Sequence, residues 1–121
     1  MKLSSYLDQK LIFLNIEANS KEEVIKSMVS KIAKIDESIM RRKADVENSV
    51  LQREAEISTC MGKGIAIPHA RIPDFNDVVV SIGVMRKPIT CKTATKDNDQ
   101  VKLFFMIIAG QTKNKSSYCR S

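Results

Sequence analysis

The stretch Val101 to Ile108, Val-Lys-Leu-Phe-Phe-Met-Ile-Ile, constrains this chain more than any other segment. So apolar a run predicts a central strand covered on both faces. Three further strands are predicted before it. Ile65 to Ile67 is short and stops at Pro68. Val78 to Met85 is rich in β-branched residues, and Ile89 to Thr95 reads as a short edge strand. Lys96-Asp97-Asn98-Asp99 reads as a turn. Leu11 to Ile16 adds an early strand, and residues 3–8 read as a short helix.

Helices are predicted between these strands. Ser20 and Glu23 form an S-x-x-E capping pattern. Val24, Ile25, Met28, Val29, Ile32 and Ala33 then recur on one face at helical spacing. A second helix is expected from about Arg42 to Glu56, with Val46, Val50 and Leu51 as its apolar stripe. Helix and strand come first and strands dominate later, which argues for an α/β sandwich with a mixed β-sheet flanked by helices. A chain of 121 residues is long enough for one domain with its own core.

Several classes of protein are excluded. The longest apolar run, Leu103 to Ala109, is far short of the roughly 18 residues a membrane helix needs. Leu11 to Leu14 is too short for a signal peptide and lacks a cleavage site after it. The three cysteines, Cys60, Cys91 and Cys119, are odd in number and form no C-x-x-C pair. They are expected to be reduced thiols in a cytoplasmic protein. With one histidine beside them, they argue against a zinc site. The net charge of +6 falls wholly on residues 61–121, which carry ten basic and four acidic side chains. Without a basic helix carrying interleaved aromatics, this reads as a solvated face or an anion-handling site rather than a nucleic-acid surface.

His69, the single histidine, sits in Gly-Ile-Ala-Ile-Pro-His-Ala-Arg. Pro68 biases Ile67 towards an extended backbone and has no N–H of its own. The histidine is thus expected at a strand end, beside a loop containing Gly62 and Gly64. A neutral imidazole can act as a nucleophile, and a nearby arginine, Arg53 or Arg71, can steady a transferring phosphoryl group. The residues alone leave two readings open: such a site, or a hydrogen-bonded histidine at a strand terminus. Neither a G-x-S-x-G elbow nor a Walker motif is present.

Gly64-Ile65-Ala66-Ile67-Pro68-His69-Ala70 resembles the phosphorylation motif of the fructose/mannitol class of enzyme IIA domains. These belong to the bacterial phosphoenolpyruvate-dependent sugar phosphotransferase system, which includes a nitrogen-regulatory branch. Leu51-Gln52-Arg53-Glu54 is similar to the family's Leu-x-Arg-Glu helix end, and Lys21-Glu22-Glu23 opens what looks like its first long helix. The likeness runs from about Leu3 to Gly110.

The resemblance implies a cytoplasmic phosphotransferase component working through phosphohistidine. His69 would accept phosphate, most readily through Nε2, from the phosphocarrier protein HPr, and pass it to the IIB component of a sugar permease. The alternative it implies is a regulatory protein of the nitrogen branch, whose phosphorylation state controls partner proteins. Arg53 matches the arginine beside the phosphoryl group. Thr59 falls where the family often has a hydroxyl residue, and Gly62, Gly64 and Pro68 shape the loop. No cofactor or metal is implied, since positioning and fixed charge do the chemistry.

Two departures from the pattern stand out. The family's second histidine would fall near Lys115 to Ser117, where this chain has Lys-Ser-Ser. The helices that normally follow are replaced by a short polar tail, Gln111 to Ser121. The chain is therefore expected to be a single IIA-like domain truncated at its C-terminus. A less covered sheet face would then favour self-association or lower stability.

Overall fold

The computed structural model describes residues 7–110. Eight elements follow in order: β1 (Leu7–Ile16), α1 (Lys21–Ala33), α2 (Glu37–Arg41), α3 (Lys43–Glu56), β2 (Ile65–Ala66), β3 (His69–Ile72), β4 (Val78–Lys92) and β5 (Asn98–Gly110). The strands form one sheet in the order β1-β4-β5-β2, with β3 also pairing to β5. β4 and β5 are antiparallel, whereas β1 runs parallel to β4 and both β2 and β3 run parallel to β5. The sheet is mixed and helices flank it, as expected for an α/β fold.

The capping pattern at α1 is realised. Ser20 Oγ accepts from Glu23 N–H at 3.2 Å, and Glu23 Oε1 accepts from Asn19 N–H at 3.0 Å. All six apolar residues of the predicted face are buried. Met28 from that face lies over Gly83 of β4. A Cβ at position 83 would stand 2.8 Å from the Met28 sulfur, so the bare backbone allows the helix this close to the sheet.

α3 buries Val46 and Val50 on the predicted stripe, and the next position of that stripe, i+8 from Val46, is Glu54. Its neighbour Arg53 points outward and is half exposed. This one-residue step, about 100° around the helix, separates a buried carboxylate from an exposed guanidinium.

Several expectations need correction. Leu7 and Asp8 begin β1 rather than ending a helix, and the rest of segment 3–8 lies outside the described residues. α2 was not predicted; Asp36 caps it by accepting from Ser38 and Ile39 N–H, and Ile39 anchors it in the core. Ile89 to Lys92 is no separate edge strand but the continuation of β4 past an irregularity between Val84 and Ile89. The turn begins three residues earlier than expected, at Thr93, and ends at Asp97, with Lys96 at φ 69°.

β5 is central, but only one of its faces is fully covered. Phe104, Met106 and Ile108 are buried, whereas Leu103, Phe105 and Ile107 are half-buried. By register, Phe105 and Leu103 share the second face with the half-buried Ile82 and Val84 of β4. The predicted tail, Gln111 to Ser121, lies outside the described residues.

Candidate active site

Pro68 cannot donate to a ladder, so the strand that begins at Ile65 breaks after Ala66. The chain re-enters the sheet at His69, which pairs with Ile107. The Pro68 carbonyl accepts from Ile107 N–H at 3.0 Å and fixes the joint. His69 is therefore the first residue of a strand rather than the sequel to one. Along β3, buried Ala70 and Ile72 alternate with His69 and Arg71, so the latter two share the outward side.

That side borders an open depression of about 640 Å³. His69 and Arg71 line it from β3; Ser49, Gln52, Arg53 and Glu56 line it from the exposed face of α3. The structure thus brings His69, Arg53 and Arg71, all three singled out in the sequence, to one depression. Arg53 Nη1 lies 3.9 Å from Glu56 Oε1 in an exposed pair. So long and solvated an ion pair holds the guanidinium weakly and leaves it able to turn towards an anion.

The His69 ring is oriented by its own backbone. Nδ1 lies 3.0 Å from the carbonyl oxygen of Ile67. A carbonyl can only accept, so Nδ1 carries the proton in this bond and the neutral ring keeps its lone pair on Nε2.

Thr59, Pro68, Gly62 and Gly64 are not among the residues that line the depression. Thr59 Oγ1 donates to Glu54 Oε1 at 2.7 Å and accepts from Ile67 N–H at 3.2 Å. Gly62 and Gly64 have φ of +84° and +79°, a region costly for side-chain-bearing residues. Gly64 is tightly bound: its N–H donates to Asp99 Oδ2 at 2.8 Å, and its carbonyl accepts from Lys102 and Leu103 N–H.

The cysteine expectation is not met for two of the three. Cys60 and Cys91 are joined as a disulfide, with Cα atoms 6.5 Å apart. Counting cysteines and looking for close pairs could not find it, because 31 residues separate them and only the return of β4 beside the loop brings them together. Cys119 lies outside the described residues. Glu54 was also missed as a site component, although a carboxylate on the apolar stripe of a helix is a visible signal. Among the described residues, no three His, Cys, Asp or Glu side chains gather as a metal-binding group. No described helix is long and apolar enough to cross a membrane.

Residues 5–119 match the family described as "Phosphoenolpyruvate-dependent sugar phosphotransferase system, EIIA 2". The chain is 31% identical over 116 residues to the PTS system fructose-specific EIIABC component of Bacillus subtilis (strain 168). That match covers 96% of the chain but only 18% of the relative, so the chain spans less than a fifth of that protein. Among solved structures, the nitrogen regulatory protein IIA-Ntr from Neisseria meningitidis is similar in fold, with a TM-score of 0.74 at 22% identity. The alignment covers 98% of this chain and 77% of that one. IIA mannitol from Escherichia coli gives a TM-score of 0.66 at 20% identity, over 93% of this chain and 78% of its own. The Escherichia coli complex of enzyme IIA mannitol with phosphorylated enzyme IIB mannitol gives 0.54 at 19% identity, over 93% and 76%.

Proposed function

Because the chain belongs to the EIIA 2 family of the phosphoenolpyruvate-dependent sugar phosphotransferase system, we propose that His69 is its phosphoacceptor and Nε2 the attacking atom. The observation that carries this reading is the Nδ1 contact with the Ile67 carbonyl, which leaves the Nε2 lone pair available beside two arginines. The donor is phosphorylated HPr. The Nε2 lone pair attacks phosphorus, a new N–P bond forms, and the donor's N–P bond breaks with its electron pair returning to the donor imidazole. Arg53, with Arg71 across the depression, offsets the charge spread over the three phosphoryl oxygens. Positioning and fixed charge carry the catalysis.

In the second half-reaction a cysteine thiolate of a IIB component attacks the same phosphorus. The S–P bond forms as the N–P bond breaks, and His69 is regenerated. A IIA–IIB complex is known for the mannitol protein of similar fold. Likeness to one segment of a fructose-specific protein makes a fructose-type IIB the first acceptor to try. On this reading the chain works in the cytoplasm, where phosphoenolpyruvate is available, and the Cys60–Cys91 bond is of a kind uncommon in that compartment.

The test is intact-mass measurement after incubation with phosphoenolpyruvate, enzyme I and HPr. The expected result is a gain of one acid-labile phosphoryl group, absent from His69→Ala and lost again on adding a IIB component. A folded wild-type protein that gains nothing overturns the reading.

A further inference from the structure

Glu54 is 5% exposed, although it is a carboxylate. Both of its oxygens are engaged. Oε2 accepts from Lys21 Nζ at 3.0 Å and from Thr59 N–H at 2.7 Å, while Oε1 accepts from Thr59 Oγ1 at 2.7 Å. None of these atoms lines the His69 depression. A buried ion pair is weak evidence of a stabilising role, since apolar side chains of similar volume often serve stability as well or better. Two of the three contacts of Glu54 converge instead on Thr59, and through it on the backbone beside His69.

We propose that Glu54, held by Lys21, is a positioning residue for His69, acting through Thr59 and Ile67. An ionised carboxylate can only accept hydrogen bonds, so it forces the Thr59 hydroxyl to donate towards it. The hydroxyl lone pairs then face away and accept the Ile67 N–H. Ile67 N–H also lies 3.4 Å from the Thr59 carbonyl, so Thr59 holds it at two points. Pro68, anchored by Ile107, fixes the other side of Ile67. The Ile67 carbonyl is thereby aimed at His69 Nδ1, and the ring is held in the tautomer that leaves Nε2 bare. The path runs from the first residue of α1, through the last turn of α3 and the following loop, to the ring.

The consequence for rate rests on the phosphoacceptor reading of His69, but the ring geometry can be read without any phosphoryl transfer. His69 is the only histidine, so a protein labelled with nitrogen-15 in histidine gives one imidazole signal set. The experiment records its tautomer by NMR above the ring's titration range in wild type, Glu54→Gln, Thr59→Val and Thr59→Ser. Phosphorylation by phospho-HPr is then timed over a range of donor concentrations, and thermal unfolding confirms that each variant is folded.

Wild type and Thr59→Ser should show the Nδ1–H tautomer. Thr59→Val removes the hydroxyl, and Glu54→Gln places an amide nitrogen against either Thr59 Oγ1 or two donors. Both should shift the ring towards Nε2–H and lower the maximal rate about tenfold with little change in KM for the donor, as expected when only orientation is lost. Folded Thr59→Val and Glu54→Gln with wild-type tautomer and rate would overturn the proposal. If Thr59→Val and Glu54→Gln shift the tautomer relative to wild type but no protein, wild type included, takes phosphate, the positioning role stands and the phosphoacceptor reading alone falls.

Discussion

Cys60 and Cys91 join the loop behind the histidine to the far end of β4. Ser58, two residues before Cys60, ties the same loop to the same strand through a 2.6 Å bond from its hydroxyl to the Lys92 carbonyl. The loop that carries Thr59 is thus fastened covalently as well as by hydrogen bonds.

Reduction should therefore cost stability. Closing a loop across a separation of 31 residues stabilises by about 3 to 4 kcal/mol in the chain-entropy treatment. Urea unfolding with and without reductant should show a loss of that order, and Cys91→Ala should reproduce it. Alkylation in denaturant without reductant should spare Cys60 and Cys91, and with reductant label both. Labelling of both without reductant, or equal stability in the two conditions, would contradict the bond.

Arg53 and Arg71 share the depression with His69, and each should contribute to transfer. Removing one preorganised transition-state donor costs about a hundredfold to a thousandfold in rate, and an exposed guanidinium, less well held, falls below that range. Arg53→Gln should slow the gain of phosphate on His69 by about ten- to thirtyfold on that basis, measured in rapid-quench single turnovers. Arg53→Lys should recover only part, because ammonium lacks the two-pronged geometry. Glu56→Gln should not slow transfer, since Glu56 competes with the phosphoryl group for Arg53. Full activity in Arg53→Gln would remove Arg53 from the site.

Much of this arrangement was legible in the sequence. Apolar spacing placed α1, because an amphipathic face repeats every 3.6 residues whatever packs on it. The Ile-Pro-His run placed the imidazole at a break in the sheet, because proline ends a ladder wherever it falls. What escaped depends on contacts between distant segments. α2 is five residues long and rests on a single buried anchor, Ile39, too little for a periodic pattern. Continuity of β4 from Met85 to Ile89 crosses Arg86, Lys87 and Pro88, all exposed, and is dictated by the pairing with β5. Glu54 could have been singled out at i+8 from Val46, but its partners Lys21 and Thr59 come from two other segments. The disulfide is invisible to local spacing for the same reason.

Gly64 should tolerate no side chain despite having room for one. A Cβ there would meet its nearest neighbour, the Gln100 carbonyl oxygen, at 3.5 Å, an ordinary contact. The cost is conformational, because φ is +79° and three hydrogen bonds, one to the Asp99 carboxylate and two from the Lys102 and Leu103 N–H groups, hold it there. Gly64→Ala should lose about 1 to 2 kcal/mol in urea unfolding. A neutral result would mean that the loop can relax to negative φ, and the Asp99 and Lys102 contacts could not then be fixed features.

The ion pair that joins α1 to α3, Lys21 with Glu54, and the pair within α2, Arg41 with Glu37, should differ sharply in worth. Lys21 and Glu54 have side chains 17% and 3% exposed, whereas Arg41 and Glu37 are 74% and 77% exposed. In water the second pair is screened, and i,i+4 pairs of this kind contribute only about 0.3 to 0.5 kcal/mol. Arg41→Met should therefore change stability by no more than about 0.5 kcal/mol. Lys21→Met takes the cation from a carboxylate that water hardly reaches, and Thr59 alone remains to satisfy it. Complete burial of such an orphaned charge costs about 3 to 5 kcal/mol, and the partial exposure of Lys21 brings the expectation down to about 2 to 3 kcal/mol. Double substitution of Lys21→Met with Glu54→Leu should recover much of this loss, because it removes the stranded charge with its partner. It should not recover phosphoryl transfer, since Thr59 would lose the acceptor that aims its hydroxyl. Equal losses for Lys21→Met and Arg41→Met in parallel urea titrations would show that the buried pair is solvated after all.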